Sequence, residues 1–275
     1  MRTHSPYANS TRAKELFSHV PSGPRKQFGQ NFICNTTTID MIVDVVSQSL
    51  QESESIVEIG GGLGAFSVPL AGLSRTLTIY EIDPFLFPVL THEMGPFPNV
   101  SVVNDDFLTR QSLVEKGTTA FVFGALPYAI TSPIFHLLIG SFYEQWRMGV
   151  FIIQKEVAEK MLQEPPQGSY WHHFVSLYFD IKRVAIVSPS AFWPQPTVES
   201  TVLSLTKKEQ VIEFAPREWS RFLHGVFSNP RKKVSASISG NILGQAGVDG
   251  SKRPHEITTR ELIAIARAQK SAPMQ

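Results

Sequence analysis

Short apolar runs recur along the chain at intervals that leave room for a helix between them. They are SIVEI (55–59), TLTIYEI (76–82), VSVV (100–103), AFVFG (120–124), GVFII (149–153), FVSLYFDIKRVAIV (174–187) and STVLSL (200–205). The first five are short and nearly unbroken, as buried parallel strands are, while the last two are longer and alternate more, as an antiparallel edge does. Ahead of them, TTTIDMIVDVVSQSL (36–50) sets Ile39, Ile42, Val43 and Val46 on one helical face. This alternation predicts an α/β fold, a Rossmann-like doubly wound sheet of seven strands. Beyond Lys207 the period becomes helical, in REWSRFLHGVFS (217–228), RKKVSASISGNIL (231–243) and TTRELIAIARAQ (258–269), the last opened by a capping-box pair, Thr258 and Glu261. A sheet domain over 27–207 and a small all-helical domain over 208–275 are therefore expected, with the Pro-rich stretches 164–168 and 189–197 as loops.

Composition narrows this only slightly. In 275 residues, 42% are hydrophobic, enough for a packed core. The single cysteine, Cys34, excludes an internal disulfide framework and suits a reducing compartment. No apolar run approaches the ~18 residues of a membrane span, so a cytoplasmic chain without membrane attachment, working as a monomer, is expected. The net charge of +1 hides an uneven distribution. Residues 1–26 carry five Lys/Arg against Glu15 alone, and residues 201–275 carry twelve against six acids, while the middle is acidic. Basic ends around an acidic body permit binding of a polyanion, although solvated surface charge accounts for the same numbers. Residues 1–26 read as a basic flexible arm in preference to a transit peptide, having no apolar signal core.

Chemistry concentrates where strands end. VEIGGGLGAF (57–66) is a strand running into a glycine turn and then a helix, an arrangement that bends backbone sharply and offers free N–H groups to a ligand. Gly60, Gly62 and Ala65 also satisfy the dinucleotide pattern, so a nicotinamide enzyme competes at this point. The next strand ends in YEID. Its Glu81 lies 21 residues after Gly60, where a carboxylate accepts from ribose hydroxyls, and an adenosine-containing ligand is implied. Asp106, in VNDDFL, stands where it can accept from an adenine amino group, while Asp105 reads better as a solvated turn or cap. The fourth strand ends in FGALPYAI (123–130), whose Tyr128 offers a ring for a base to stack on. No His, Cys or acid group has metal-ligand spacing, so no metal is expected.

Taken together the chain resembles the small-subunit ribosomal RNA adenine dimethyltransferase family over about residues 25–270. The resemblance rests on GQNFICN (29–35), VEIGGGLG (57–64), YEIDP (80–84), NDDFL (104–108), LPYAITSPIFHLL (126–138), IIQKEVAEKML (152–162), PSAFWPQPTVEST (189–201) and FSNPRKKV (227–234). It implies methyl transfer from S-adenosylmethionine to adenine N6 of small-subunit ribosomal RNA within the pre-small-subunit. Gln30, Asn31 and Phe32 would close over the cofactor, Gly60 and Gly62 would admit its methionine portion, and Glu81 with Ile82 would hold its ribose and base edge, Asp106 reading the adenine. Ala125, Leu126, Tyr128 and Phe192 would form the transfer site, Tyr128 and Phe192 sandwiching the target base, with Ala125 also beside the cofactor. Arg231, Lys232 and Lys233 would face RNA.

Two departures accompany the match. The family motif reads Asn-Leu-Pro-Tyr, commonly with a further Asn, whereas this chain has Ala125 and Ala129 at those places. After Tyr170 the family's Gly-Arg-Leu-Ser is replaced by Trp171, His172, His173 and Phe174, and the two histidines read as belonging to a surface loop. Two outcomes stay open at this point: an enzyme working without a side-chain acceptor for the adenine amine, slow or adding a single methyl, and a homologue that binds ribosomal RNA as an assembly factor without methylating.

Overall fold

In a computed structural model, residues 3–19, 23–25, 28–51, 54–209 and 213–271 are described. In chain order the elements are helix α1 (Ser10–Ser18), strand β1 (Phe32–Ile33), α2 (Thr36–Ser49), β2 (Ser55–Ile59), α3 (Ser67–Ala71), β3 (Leu77–Tyr80), α4 (Leu86–Met94), β4 (Val100–Val103), β5 (Ala120–Ala125), α5 (Thr131–Gly140), β6 (Trp146–Gln154), α6 (Lys155–Leu162), α7 (Tyr170–Ser176), β7 (Phe179–Val187), β8 (Phe192–Trp193), β9 (Ser200–Lys207), α8 (Pro216–Phe227), α9 (Gly240–Ala246) and α10 (Thr259–Ser271). The seven expected strands form one sheet in the order β4-β3-β2-β5-β6-β9-β7. Strands β2 to β6 pair in parallel and β9 runs antiparallel to β6. The chain moves outward from β2 to β4 and then returns to the other side of β2 at β5. That reversal opens a crevice at the carboxyl ends of β2 and β5, where open α/β sheets hold their ligands.

Local sequence sets these elements. Helix α2 starts at Asn35, whose side chain accepts from Thr38 N at 2.8 Å, and it buries Ile39, Ile42, Val43 and Val46 as its period requires. Each such side chain contributes about 1.5–3 kcal/mol by leaving water. The central strands β5 and β6 are buried nearly throughout, which explains their unbroken apolar sequences. Strand β9 is buried from Ser200 to Leu205 because it lies inside the sheet, leaving the edge position to β7.

Three expectations are corrected here. The segment 10–18, expected within a flexible arm, is helix α1: Ala13 and Phe17 are buried, and Phe17 stacks on Phe32 at 5.4 Å and packs on Trp193 at 5.5 Å. Residues 1–2, 20–22 and 26 of that arm lie outside the described residues. The stretch 231–243 is no continuous helix, since a short 3-10 turn (Val234–Ala236) precedes α9. Ser and Gly residues there favour caps and turns over helix interior. Residues 174–176, read as the start of a strand, end α7 instead, and a separate two-stranded pairing of β1 with β8 was not anticipated.

The chain forms two compact units. One contains residues 1–155 and 182–207, and the other residues 156–181 and 208–275. The boundary expected after 207 is one of three crossings, because α7 and its flanks belong with the C-terminal helices. Among the described residues no helix is long and apolar enough to cross a membrane.

Candidate active site and basic surface

In the sheet unit, one cleft lies at the crevice. Its lining includes Gln30, Asn31, Phe32, Gly60, Gly62, Glu81, Ile82, Asp106, Ala125, Leu126, Tyr128 and Phe192, so every residue expected to touch cofactor or base faces the same space. Gly60 and Gly62 have φ of 79° and 56°, conformations that side chains strain to adopt. A Cβ on Gly60 would meet no protein atom within 4 Å, so this turn opens directly on the cleft.

Glu81, at the end of β3, is 5% exposed. Its Oε2 accepts from Gly62 N and its Oε1 from Asp83 N, both at 2.8 Å. Burial pushes its carboxyl above the usual range, the two backbone bonds working in the opposite direction. Each carboxylate oxygen carries a second lone pair, so capacity to accept from ribose hydroxyls remains. Asp106 caps the short 3-10 turn at Phe107–Thr109, its Oδ1 accepting from Leu108 N at 2.9 Å. Asp105 is occupied locally, by Asp106 N at 2.9 Å and Arg110 at 3.4 Å.

At the base end of the cleft, Leu126 N donates to Ile152 O at 2.9 Å, which carries the Ala125-Leu126 backbone off the end of β5 in register with β6. The Pro127 carbonyl accepts from Ile130 N at 3.1 Å and from the Thr131 hydroxyl at 3.0 Å, closing the turn into α5. The Tyr128 hydroxyl lies 2.9 Å from Ser200 Oγ, a bond that fixes the ring's tilt. Phe192 is brought to the cleft by β8, where it pairs with Ile33. Ala125 presents only a methyl group.

Four participants escaped the sequence reading. Glu58 on β2 is 2% exposed, and burial raises its carboxyl to about 8, with the Ser67 hydroxyl acting against the shift and the Glu81 charge adding to it. Among the described residues its Oε2 has no hydrogen-bond partner. Asp83, Arg25 and Ser200 complete the set. Asp83 and Ser200 stood in plain view within YEID and PTVEST, but only the fold reveals that one is fully buried and the other faces Tyr128.

In the helical unit, Arg231, Lys232 and Lys233 are all exposed, and with Arg253, Ser235 and Ser251 they line a wide open basin that also contains Glu256. His172 and His173 are not on a surface loop. They are buried in α7, started by Ser169, which accepts from His172 N at 3.1 Å. His173 Nδ1 lies 2.8 Å from Thr259 Oγ1, and burial lowers the ring to about 3. His172 Nδ1 lies 3.2 Å from Met161 O, and burial lowers that ring also. The aromatic run packs: Tyr170 stacks on His224 at 4.5 Å and on Phe174 at 5.6 Å. Among the described residues no group of three or more potential ligands could hold a metal ion.

Comparison with known proteins accords with this geometry. The ribosomal RNA adenine dimethylase family matches residues 22–272. A protein of Sulfurihydrogenibium described as ribosomal RNA small subunit methyltransferase A is 31% identical over 252 residues, covering 88% of this chain and 95% of its own. One of the same description from Bacillus pumilus is 27% identical over 288 residues, 96% of this chain and 98% of its own. Among solved structures, a dimethyladenosine transferase from Plasmodium falciparum superposes with a TM-score of 0.74 at 22% identity, over 85% of this chain and 95% of that one. The 23S rRNA methyltransferase ErmE does so at 0.70 and 24%, over 88% of this chain and all of that one. At such identities the two structures speak for the fold.

Proposed function

The chain belongs to the ribosomal RNA adenine dimethylase family, and from that premise we propose that it transfers methyl groups from S-adenosylmethionine to adenine N6 of small-subunit ribosomal RNA. The observation that carries the proposal is the convergence in one cleft of the Gly60–Gly62 turn, Glu81 and Asp106 with Tyr128 and Phe192. The cofactor fits what lines that cleft. Glu58 offers a buried carboxyl, held neutral up to about pH 8, whose Oε2 is left to hydrogen-bond a polar group of the ligand. Glu81 would hold the ribose, Asp106 and Ile82 the adenine, and Gly60 with Gly62 would give the methionine portion room. When bound, the cofactor supplies an electrophilic methyl group.

The chain's own task is to orient the adenine amine, a poor nucleophile because its lone pair is delocalised into the ring. Stacking between Tyr128 and Phe192 sets the base plane, the Ser200 bond keeping the Tyr128 ring in place. An acceptor then has to take the amine protons and offset the positive charge the nitrogen gains. Ala125 has none in its side chain. Because the Pro127 carbonyl is committed to Ile130 and Thr131, that role falls to the carbonyls of Ala125 and Leu126. Missing one preorganised polar group costs about 10²–10³ in rate, so this enzyme is active but slow. Arg231, Lys232 and Lys233 bind RNA phosphates. The protein acts as a monomer, in the cytoplasm where its substrate is assembled.

The test is methyl incorporation into assembled small subunits. Wild-type turnover lost in Tyr128→Ala, and raised by up to about 10²–10³ in Ala125→Asn, is the expected outcome. No turnover in either wild type or Ala125→Asn, despite measurable cofactor and RNA binding, would leave the assembly-factor reading in its place.

A further inference from the structure

Asp83 is fully buried, and neither Glu81's ribose role nor Tyr128's stacking role uses it. A carboxylate removed from water in this way has to be matched by donors. One oxygen has a local explanation: Oδ1 accepts from Phe85 N at 2.9 Å as the chain turns toward α4. The other is spent far away in sequence. Oδ2 accepts from Gln30 Nε2 at 2.6 Å, and the Arg25 guanidinium lies 3.4 Å from Oδ1. Gln30 in turn accepts from Arg25 N at 2.8 Å through Oε1, so its amide joins Arg25 N to the Asp83 carboxylate. On its other side Asp83 N donates to Glu81, whose second oxygen holds Gly62 N.

A continuous chain of bonds therefore runs from Gln30 through Asp83 and Glu81 to the glycine turn. The segment it fastens also touches the base end of the cleft, since a Cβ on Gly29 would stand 3.4 Å from Pro127 Cβ. We infer that Asp83 is a positioning residue, which ties the 28–31 segment to the ribose-holding carboxylate so that one buried group sets both walls of the cofactor site. The inference rests on the methyltransferase reading of this cleft. A carboxylate needed only to start α4 would have no use for Gln30.

The test is calorimetric titration of S-adenosylmethionine into wild type, Gln30→Ala, Asp83→Asn and the double variant, with melting temperatures recorded alongside. Gln30 is only half-buried, so its truncation leaves the fold intact and keeps the test decisive should Asp83→Asn fold poorly. Asparagine puts an amide donor against either Gln30 or Phe85 N–H, so one bond is lost whichever way it turns. Gln30→Ala should weaken cofactor binding about tenfold while the protein still melts cooperatively, at a temperature lowered by the donor that Asp83 Oδ2 loses, and the double variant should bind no more weakly than the weaker single variant. Unchanged affinity in Gln30→Ala, or losses that add in the double variant, would overturn the inference while the functional reading stands. A wild type that does not bind the cofactor would instead overturn the functional reading, and this with it.

Discussion

The cofactor edge of the sheet and the basic basin of the helical unit are both polar surfaces, built on opposite principles. At the sheet edge Glu58, Glu81 and Asp83 are 2%, 5% and 0% exposed, two of them held by backbone N–H groups in fixed geometry. In the basin Arg231, Lys232 and Lys233 stand in water on residues adjacent in sequence. A buried acceptor discriminates one ligand because leaving it unmatched is costly, whereas an exposed cation attracts any phosphate and does so less in salt. On the proposed function, small-molecule recognition and polyanion recognition are thus separated by burial as well as by charge.

Substitutions can break that contrast. The largest effect is expected from Glu81→Ala, which on the proposed function would remove two charge-assisted bonds to the ribose, each worth about 1.5–3 kcal/mol, and releases the Gly62 and Asp83 amides. Cofactor affinity measured by calorimetry should fall at least tenfold, and nearly independently of salt. Replacing Arg231, Lys232 and Lys233 together by Ala should do the reverse. RNA binding should weaken across sequences, its log–log salt slope becoming shallower by roughly 0.7–0.9 for each phosphate no longer neutralised, while cofactor titrations stay unchanged. A salt slope equal to wild type would reduce the three to solvated surface charge.

A third effect sharpens the contrast from inside the helical unit. His173 is neutral when folded because burial lowers it to about 3, but it takes up a proton near its ordinary value of 6.5 when unfolded. Below pH 6.5 the unfolded state therefore binds more protons, and stability is lost as pH falls toward about 3. The loss between pH 6.5 and 5 is about 2 kcal/mol, so His173→Phe should melt with a flatter pH dependence over that window. The smallest effect is expected from Ser200→Ala. Losing the 2.9 Å bond to Tyr128 should lower the turnover rate by about fivefold, with cofactor affinity unmoved. Equal turnover would mean that packing alone holds the ring.

How much of this could be read beforehand follows from the range of the interactions. Strand runs such as SIVEI and AFVFG translate directly into β2 and β5, since burial on both faces writes a nearly unbroken apolar signal. Capping at Thr258 is equally legible, with Glu261 Oε2 accepting from Thr258 N at 2.8 Å, because both partners lie within one turn. Gly60, Gly62, Glu81 and Tyr128 were visible because strand ends fall together at one sheet edge. Long-range pairs leave no such trace. Gln30 meets Asp83 across 53 residues and Tyr128 meets Ser200 across 72. The buried histidines misled for the same reason, as nothing near His173 in sequence announces Thr259, 86 residues away.

The passage of the chain between its two units has a consequence for how the protein is made. Residues 156–181 belong with helices that follow residue 207, and the sheet is completed only when β9, inside it, has been synthesised. Neither unit is a contiguous length of polypeptide, so neither can finish folding before most of the chain has left the ribosome. Shortening the gene at codon 207 would yield a product in which α7, with Phe174 and His173 on its buried side, has lost α8 and α10. Such a product is expected to aggregate, and the two parts would be recovered separately only by cutting the chain at all three crossings and joining its sheet-forming pieces anew.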